Sequence, residues 1–201
     1  MVRMKVKVTT TEQMLGTCPG DPEIYRNYIG DQAPDAATLE EEVEALGADQ
    51  VFDDKVTVFA RTEDGKPMVY DYQWKGLFKD ACGMLRRVKG SESEKMKAYK
   101  KIIDGLIFVE ERKIPINTDK EITICQRPLR ASGPQGERVA LAASEAIAPG
   151  ATMEFTIRCL VDNDIKAVKE WLNYGVLRGF GQWRNSGAGR FEYEILEETA
   201  A

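Results

Sequence analysis

Apolar and polar residues alternate along several short segments of this chain. Alternation with a period of two is typical of a half-buried strand, because successive side chains of a strand point to opposite faces. Strands are therefore predicted over residues 4–10, 55–61 and 152–160, with shorter ones over 106–109 and 190–196.

Other segments have the helical spacing of three and four residues between apolar positions, which places those side chains on one helix face. Helices are predicted over residues 74–88 and 163–176, and Asn163 or Asp164 can cap the start of the second. A further helix with a basic outer side is expected over 93–103.

Two stretches interrupt this pattern. Residues 21–54 are polar and acidic, with a short helix expected near 38–46, and are interpreted as an insertion. Residues 113–143 alternate strand-forming residues with prolines and glycines, which predicts an inserted β-hairpin. Without them, the order is strand, helix, strand, strand, helix, strand. We therefore predict one α+β domain over residues 1–201, with the ferredoxin-like or RNA-recognition-like sheet that has helices on one face.

Composition excludes several kinds of chemistry. The 201 residues include no histidine, which removes Ser–His and Cys–His nucleophiles, histidine bases and His-containing zinc sites. The four cysteines are too far apart for a CxxC motif, so reduced, buried thiols are expected, with no metal and no cofactor. No apolar run has the about 18 residues of a membrane span, and the first residues do not resemble a signal peptide, so a cytoplasmic protein is expected.

Charge is distributed unevenly. Residues 31–54 contain nine acids and no base, whereas the remaining sequence has 28 bases and 24 acids. Residues 86–101 contain seven bases and two acids. This basic run is either a solvated helix face or part of a surface that binds a polyanion, and the overall net charge of −5 does not decide between them.

A glycine-rich string follows the last predicted helix. It reads Leu-Arg-Gly-Phe-Gly-Gln-Trp-Arg-Asn-Ser-Gly-Ala-Gly-Arg-Phe over residues 177–191. Its four glycines permit backbone angles that other residues avoid, and exposed amides in such a loop suit phosphate oxygens. Arg178, Arg184 and Arg190 supply positive charge, and the ring of Trp183 offers a face on which a nucleobase could stack.

This string resembles the glycine-rich loop before the last strand of the RAMP superfamily, the repeat-associated proteins of CRISPR systems. Two further stretches are similar to that family: the turn and Lys-Gly helix start within residues 64–79, and the strand entry within 138–151. The resemblance spans about residues 1–10 and 55–197 and is nearest to the backbone subunit of effector complexes, which polymerises along guide RNA. A standalone relative, such as one carried by a mobile element, is the alternative.

The resemblance and the basic residues together favour a non-catalytic RNA-binding protein of antiviral defence, with single-stranded or guide RNA, effector subunits or further copies of itself as partners. The residues expected to contact RNA are Lys75, Lys79, Arg86, Arg87, Arg127, Arg130, Arg138, Arg178, Gly181, Trp183, Arg184, Asn185, Ser186, Gly187, Gly189 and Arg190.

Two alternatives remain. The acidic segment could make the protein an interaction or inhibitory module of an effector assembly. Asp53 and Asp54 could instead hold a divalent ion for ribonuclease activity, since some family members cut RNA with an aspartate near the second strand.

Overall fold

A computed structural model describes residues 1–20, 56–133 and 136–200, without the side chains of 129–141. The described strands are β1 (Val2–Thr10), β2 (Met14–Leu15), β3 (Cys18–Pro19), β4 (Val56–Val58), β5 (Ala60–Arg61), β6 (Pro67–Tyr70), β7 (Ile107–Val109), β8 (Lys113–Pro115), β9 (Thr123–Gly133), β10 (Gly136–Ile147), β11 (Thr152–Cys159) and β12 (Phe191–Ala200). The described α-helices are α1 (Asp71–Leu85), α2 (Tyr99–Leu106) and α3 (Asp164–Arg178). The fold is therefore mixed α+β, as the sequence pattern predicts.

The central sheet has four antiparallel strands in the order β12, β1, β11, β7. Strand β1 lies in the middle, so that Val6 faces Phe155 on one side and Ile195 on the other. Met4, Val6 and Val8 alternate with polar residues and are fully buried, which is the two-residue period expected of a strand with one covered face.

Helices α1 and α3 cover that apolar face, and Trp74 of α1 is the centre of the resulting core. Its ring centroid lies 4.4 Å from those of Phe155 and Phe180 and 5.7 Å from that of Phe191. A Cβ on Gly175 of α3 would lie 2.7 Å from the Phe191 ring, so the glycine lets the helix pack closely on β12. These contacts join the glycine-rich segment to the core.

The opposite face of the central sheet presents ion pairs. Lys5 Nζ lies 3.1 Å from a Glu154 oxygen, and Arg3 and Arg158 both pair with Glu110 at 2.8 and 2.6 Å. The hydrogen bond from Arg3 holds the pKa of Glu110 below its usual value. Among the described residues of β1 and β11, this face carries charged and hydroxyl side chains and no aromatic ring, in contrast to the stacking surface of RNA-recognition sheets.

A long hairpin formed by β9 and β10 projects from a second sheet. Its strands pair from Ala146 opposite Thr123 to Gly136 opposite Gly133. Strand β10 continues into pairs with β2 and β4, while β8 pairs with β6 in a third sheet. The hairpin thus starts later than the predicted 113–143 segment and extends to Ile147. Pro128 fits within β9 because an edge strand can turn a proline nitrogen away from the ladder.

The predicted basic helix over 93–103 is wrong at its start, since α2 begins at Tyr99. Ala98 has a left-handed φ of 51°, and Ser93 is held in a turn by hydrogen bonds to Glu170 and from the Trp171 indole. The acidic segment, including Asp53 and Asp54, lies outside the described residues. No helix within 1–20, 56–133 or 136–200 is both long and apolar enough to cross a membrane.

Candidate nucleic-acid interface

The glycine loop, residues 179–190, joins α3 to β12 and is built on a close backbone crossing. Gly179, Gly181, Gly187 and Gly189 have φ between 71° and 88°. A Cβ on Gly189 would lie 1.8 Å from the carbonyl oxygen of Phe180, which no rearrangement of a side chain could relieve. The glycines therefore meet two requirements at once: a left-handed backbone and contact between two chain segments.

Several loop amides are already hydrogen-bonded within the protein. The Phe180 N–H donates to Gly189 O, and the Gly189 N–H donates to Gln13 O, both at 2.8 Å. The Ser186 and Gly187 N–H groups donate to carbonyls three residues earlier at 3.0 Å. These four amides stabilise the loop and already have acceptors within the protein, whereas the Trp183 side chain at the loop tip is exposed.

The loop arginines are also held by protein groups. Asp80 of α1 accepts hydrogen bonds from Arg178 Nε at 3.3 Å and from Arg184 at 2.9 Å. Arg178 also donates to the Asn185 amide oxygen at 2.7 Å. Arg190 Nε donates to a main-chain carbonyl of α3 at 3.1 Å. Since one carboxylate serves two guanidinium groups, the loop keeps a net positive charge while its arginines have fixed positions.

Arg127 on β9 connects the loop to the second sheet. It is 5% exposed and donates to Ser144 Oγ at 3.1 Å and to the Gln182 amide oxygen at 3.0 Å. Gln182 in turn donates to Gly16 O at 2.8 Å. The Arg127 guanidinium carbon lies 5.0 Å from the Trp183 ring centroid, within the range of a cation–π contact.

A cleft of about 300 Å³ lies between the loop and the first turns of α1. Its walls include Thr17, Gln73, Gly76, Phe180 and Arg184. Gln73 donates to Thr17 Oγ1 at 2.7 Å, and its amide oxygen accepts from the Tyr70 N–H at the start of α1. The cleft therefore has fixed polar groups and a guanidinium on the side of the loop.

Lys75 and Lys79 lie on the other flank of α1 and not beside the loop. Lys79 Nζ is 2.6 Å from a carboxylate oxygen of Asp104, and Lys75 Nζ is 3.3 Å from the Asp104 carbonyl oxygen. Lys75 Nζ also lies 4.7 Å from the Phe108 ring centroid. Burial lowers the pKa of Lys75. These two predicted contacts thus form a separate group.

The basic run, residues 86–101, follows α1 on the helical side of the sheet. All seven of its basic side chains are exposed: Arg86, Arg87, Lys89, Lys95, Lys97, Lys100 and Lys101. None of them forms an ion pair with a residue that the structure describes. Their charge is therefore available to a polyanion.

For two further predicted residues, Arg130 and Arg138, the structure describes only the backbone. Arg130 lies opposite Val139, and Arg138 opposite Ala131, on the hairpin strands, but their side chains lie outside the description. Within the described ranges, no group of three or more Cys, Asp or Glu could hold a metal ion.

Sequence reasoning missed two residues of this site. Gln182 stands inside the glycine string, and its half-buried amide donates a hydrogen bond to the Gly16 carbonyl oxygen. Asp80 pairs with Arg178 and Arg184 across about half the chain, and no local signal identifies such a contact.

No protein-family model and no curated protein matches this chain. The fold resembles a chain in the cryo-EM structure of the type III-B Cmr-beta complex bound to cognate target RNA, with a TM-score of 0.52 and 12% identity. That alignment covers 98% of this chain and 60% of the solved one, so this chain spans less than two thirds of the solved chain's length. A chain of a type IV-B CRISPR complex aligns over 99% of this chain and 92% of its own, with a TM-score of 0.49 and 12% identity.

Proposed function

We propose that this protein is a non-catalytic, RNA-binding member of the RAMP superfamily that works within a CRISPR-type ribonucleoprotein. The fold likeness to a chain from a complex that contains target RNA supports this proposal. So does the glycine loop, which stands between the last helix and the last strand as the family resemblance implies. A role in antiviral defence in the cytoplasm is part of the same proposal.

The strand order supports a ferredoxin-like assignment of the core. In chain order the central strands are β1, β7, β11 and β12, and they are arranged as fourth, first, third and second. Helix α1 lies between the first and second of these strands in sequence, and α3 between the third and fourth. This order is the one expected of the split βαβ arrangement of ferredoxin-like domains, and it supports the proposed assignment.

The observation that carries the RNA-binding proposal is the free positive charge of the basic run. Seven exposed basic side chains stand on one short segment, without ion pairs to described residues. Contacts between such side chains and phosphates release bound counterions, so affinity falls steeply with salt. On the opposite face of the sheet, the basic side chains form ion pairs with acidic ones, so that face should attract a polyanion less strongly than the basic run does.

A salt series with labelled single-stranded RNA tests this proposal on the full chain. We expect the triple variant Lys97→Ala, Lys100→Ala, Lys101→Ala to reduce the slope of log K against log[salt] by about 2, at about 0.7 per lost contact with a single strand. The control is Lys5→Ala, Lys7→Ala, Lys166→Ala, which removes the same charge from two half-buried, ion-paired lysines of β1 and one exposed lysine of α3. Equal slopes for the two triple variants, or no binding at low salt, would refute the proposal.

The two alternative functions depend on residues 21–55, outside the described part of the chain, and stay predictions. The ribonuclease alternative is tested by incubating the same RNA with the protein and Mg²⁺ and measuring cleavage. Cleavage that is lost in the double variant Asp53→Ala, Asp54→Ala would favour it over the non-catalytic proposal. Stronger RNA binding after deletion of residues 31–54 would favour the inhibitory or mimicry alternative.

A further inference from the structure

We propose that Trp183 is a stacking platform for one unpaired nucleobase, and that Arg127 positions this indole and does not contact phosphate. This inference rests on the RNA-binding function proposed above. The sequence analysis expects both Trp183 and Arg127 to contact RNA, whereas this inference gives only Trp183 a direct contact. The part of the RNA that the loop tip would bind is then a base.

Trp183 differs from the other two tryptophans of the chain. It is 40% exposed, whereas Trp74 and Trp171 are fully buried in the core. Its φ of 57° is left-handed, an unfavourable conformation for a bulky residue that persists only where the surroundings enforce it. The Ser186 N–H and hydroxyl both donate to the Trp183 carbonyl oxygen, at 3.0 and 3.2 Å, and fix the turn that presents the ring.

Arg127 fixes the orientation of the ring from beneath. Its guanidinium is locked by Ser144 and Gln182 and lies 5.0 Å from the indole centroid. With 5% of the residue exposed, this guanidinium is out of reach of a phosphate unless the loop opens. None of its described partners is an anion, and its Nε is buried without a hydrogen-bond partner among the described residues, so the indole face adds to the hydrogen bonds with Ser144 and Gln182 in stabilising the buried charge.

The surroundings of the tip favour a nucleobase over an apolar protein side chain. The neighbours of Trp183 along the tip are Arg184, Asn185 and Ser186, which are polar and give the ring no apolar patch to extend. The two guanidinium groups shared by Asp80 give this region a positive charge that attracts a polyanion. A planar base can stack on the outer face of an indole whose inner face is covered by a cation.

Two consequences distinguish this contact from the charge-driven binding of the basic run. Stacking carries no net charge, so its loss lowers affinity without changing the salt slope. It also requires an unpaired base, so a duplex cannot use it.

The full chain is titrated with fluorescently labelled single-stranded RNA of about 12 nucleotides, within the usual range of site sizes, and with an abasic oligomer of equal phosphate number. Anisotropy reports binding, and the part of the tryptophan emission that is absent in Trp183→Ala reports Trp183, because the two buried indoles also emit. We expect RNA to quench the emission and the abasic oligomer to leave it unchanged. Trp183→Ala should weaken RNA binding about 10-fold and abasic binding less than twofold, with equal salt slopes.

Phe108→Ala is the matched control, because Phe108 is 38% exposed and also lies under a cation, Lys75, on the other flank of α1. We expect it to bind RNA like the wild type. Trp183→Phe should recover most of the lost affinity. Arg127→Lys, checked for folding by thermal unfolding, should make the Trp183 emission more accessible to acrylamide and reduce RNA affinity several-fold, but not abasic affinity.

The outcomes separate this inference from the proposed function. RNA binding with unchanged emission, or equal RNA affinity of the wild type and Trp183→Ala, overturns the platform and leaves the proposed function standing. A folded Arg127→Lys that keeps both acrylamide protection and RNA affinity overturns the positioning role. No binding of RNA at low salt overturns both proposals.

Discussion

The glycine loop and the basic run both present positive side chains on the helical side of the molecule, but they are built in opposite ways. Around the loop, Asp80 of α1 accepts hydrogen bonds from Arg178 and Arg184, and a main-chain carbonyl of α3 accepts one from Arg190. Four glycines with left-handed φ angles fix the loop backbone. In the basic run, the side chains are exposed and extend from turns and from the first part of α2.

Under the proposed function, this difference implies that the two regions contribute to RNA binding in different ways. Long exposed lysines retain their conformational freedom and act as mobile charges, which attract a polyanion without selecting its shape. A loop with fixed arginines and one exposed indole has little adaptability, but it offers a defined geometry for a single nucleotide. The two regions are therefore expected to differ in salt dependence and in tolerance to substitution.

The largest effect is expected from adding one methyl group to the loop. In Gly189→Ala the new Cβ would meet the Phe180 carbonyl oxygen at 1.8 Å, in addition to an unfavourable φ of 71°. We expect a loss of about 3 kcal/mol or more in the free energy of unfolding, measured with urea, from the sum of the left-handed conformation and the overpacking.

Gly65→Ala is the control for the backbone angle alone. Gly65 has a φ of 76°, but nothing lies within 4 Å of its added Cβ, so we expect a loss of only about 1 kcal/mol. Under conditions where Gly189→Ala is folded, its remaining RNA binding should keep the salt slope of the wild type. Equal destabilisation by the two substitutions would show that the backbone crossing does not constrain the loop.

Asp80→Asn is expected to have a smaller effect on stability and to increase RNA affinity. The substitution removes the carboxylate shared by Arg178 and Arg184, which lowers stability by less than about 1 kcal/mol because the pairs are partly exposed. The freed guanidinium groups can then reach phosphates, so we expect RNA affinity to rise about threefold and the salt slope to increase by about 0.7.

Asp104→Asn makes the same change on the other flank of α1, where it frees Lys79. We expect less than a twofold change in RNA affinity, because that flank lies away from the loop. A gain equal to that of Asp80→Asn would indicate that Lys75 and Lys79 contact RNA after all. Both variants are compared by anisotropy at matched ionic strength.

The central fold could be predicted from sequence because its signals are local and periodic. Buried Met4, Val6 and Val8 alternate along β1, and Trp74 and Phe78 recur at helical spacing in α1. The predicted start of α2 is six residues too early, because the Ser93 side chain is hydrogen-bonded to Glu170 and Trp171, about 77 residues away in sequence. Such tertiary contacts override local propensity.

The site was predictable as a segment but not as an arrangement. The glycine string identifies a loop with unusual backbone angles, and this prediction needs no knowledge of its neighbours. Two features of the site depend on contacts between residues that are 55 or more positions apart in sequence. Asp80 neutralises part of the loop charge, and Arg127 is buried beneath Trp183. Residue type alone assigns every arginine to phosphate, whereas burial separates the positioning arginine from the exposed ones.

The smallest effect is expected from pH. The chain has no histidine, the side chain whose charge ordinarily changes between about pH 6 and 8. RNA affinity at constant ionic strength should therefore vary less than twofold over this range.

The sensitive group is Lys75, since burial lowers its pKa and its positive charge is lost at a lower pH than that of an ordinary lysine. If Lys75 contacted RNA, affinity would begin to fall at a lower pH than for a contact made by an ordinary lysine, and Lys75→Arg would abolish that fall. We expect Lys75→Arg and the wild type to give the same flat profile, because both binding regions lie elsewhere.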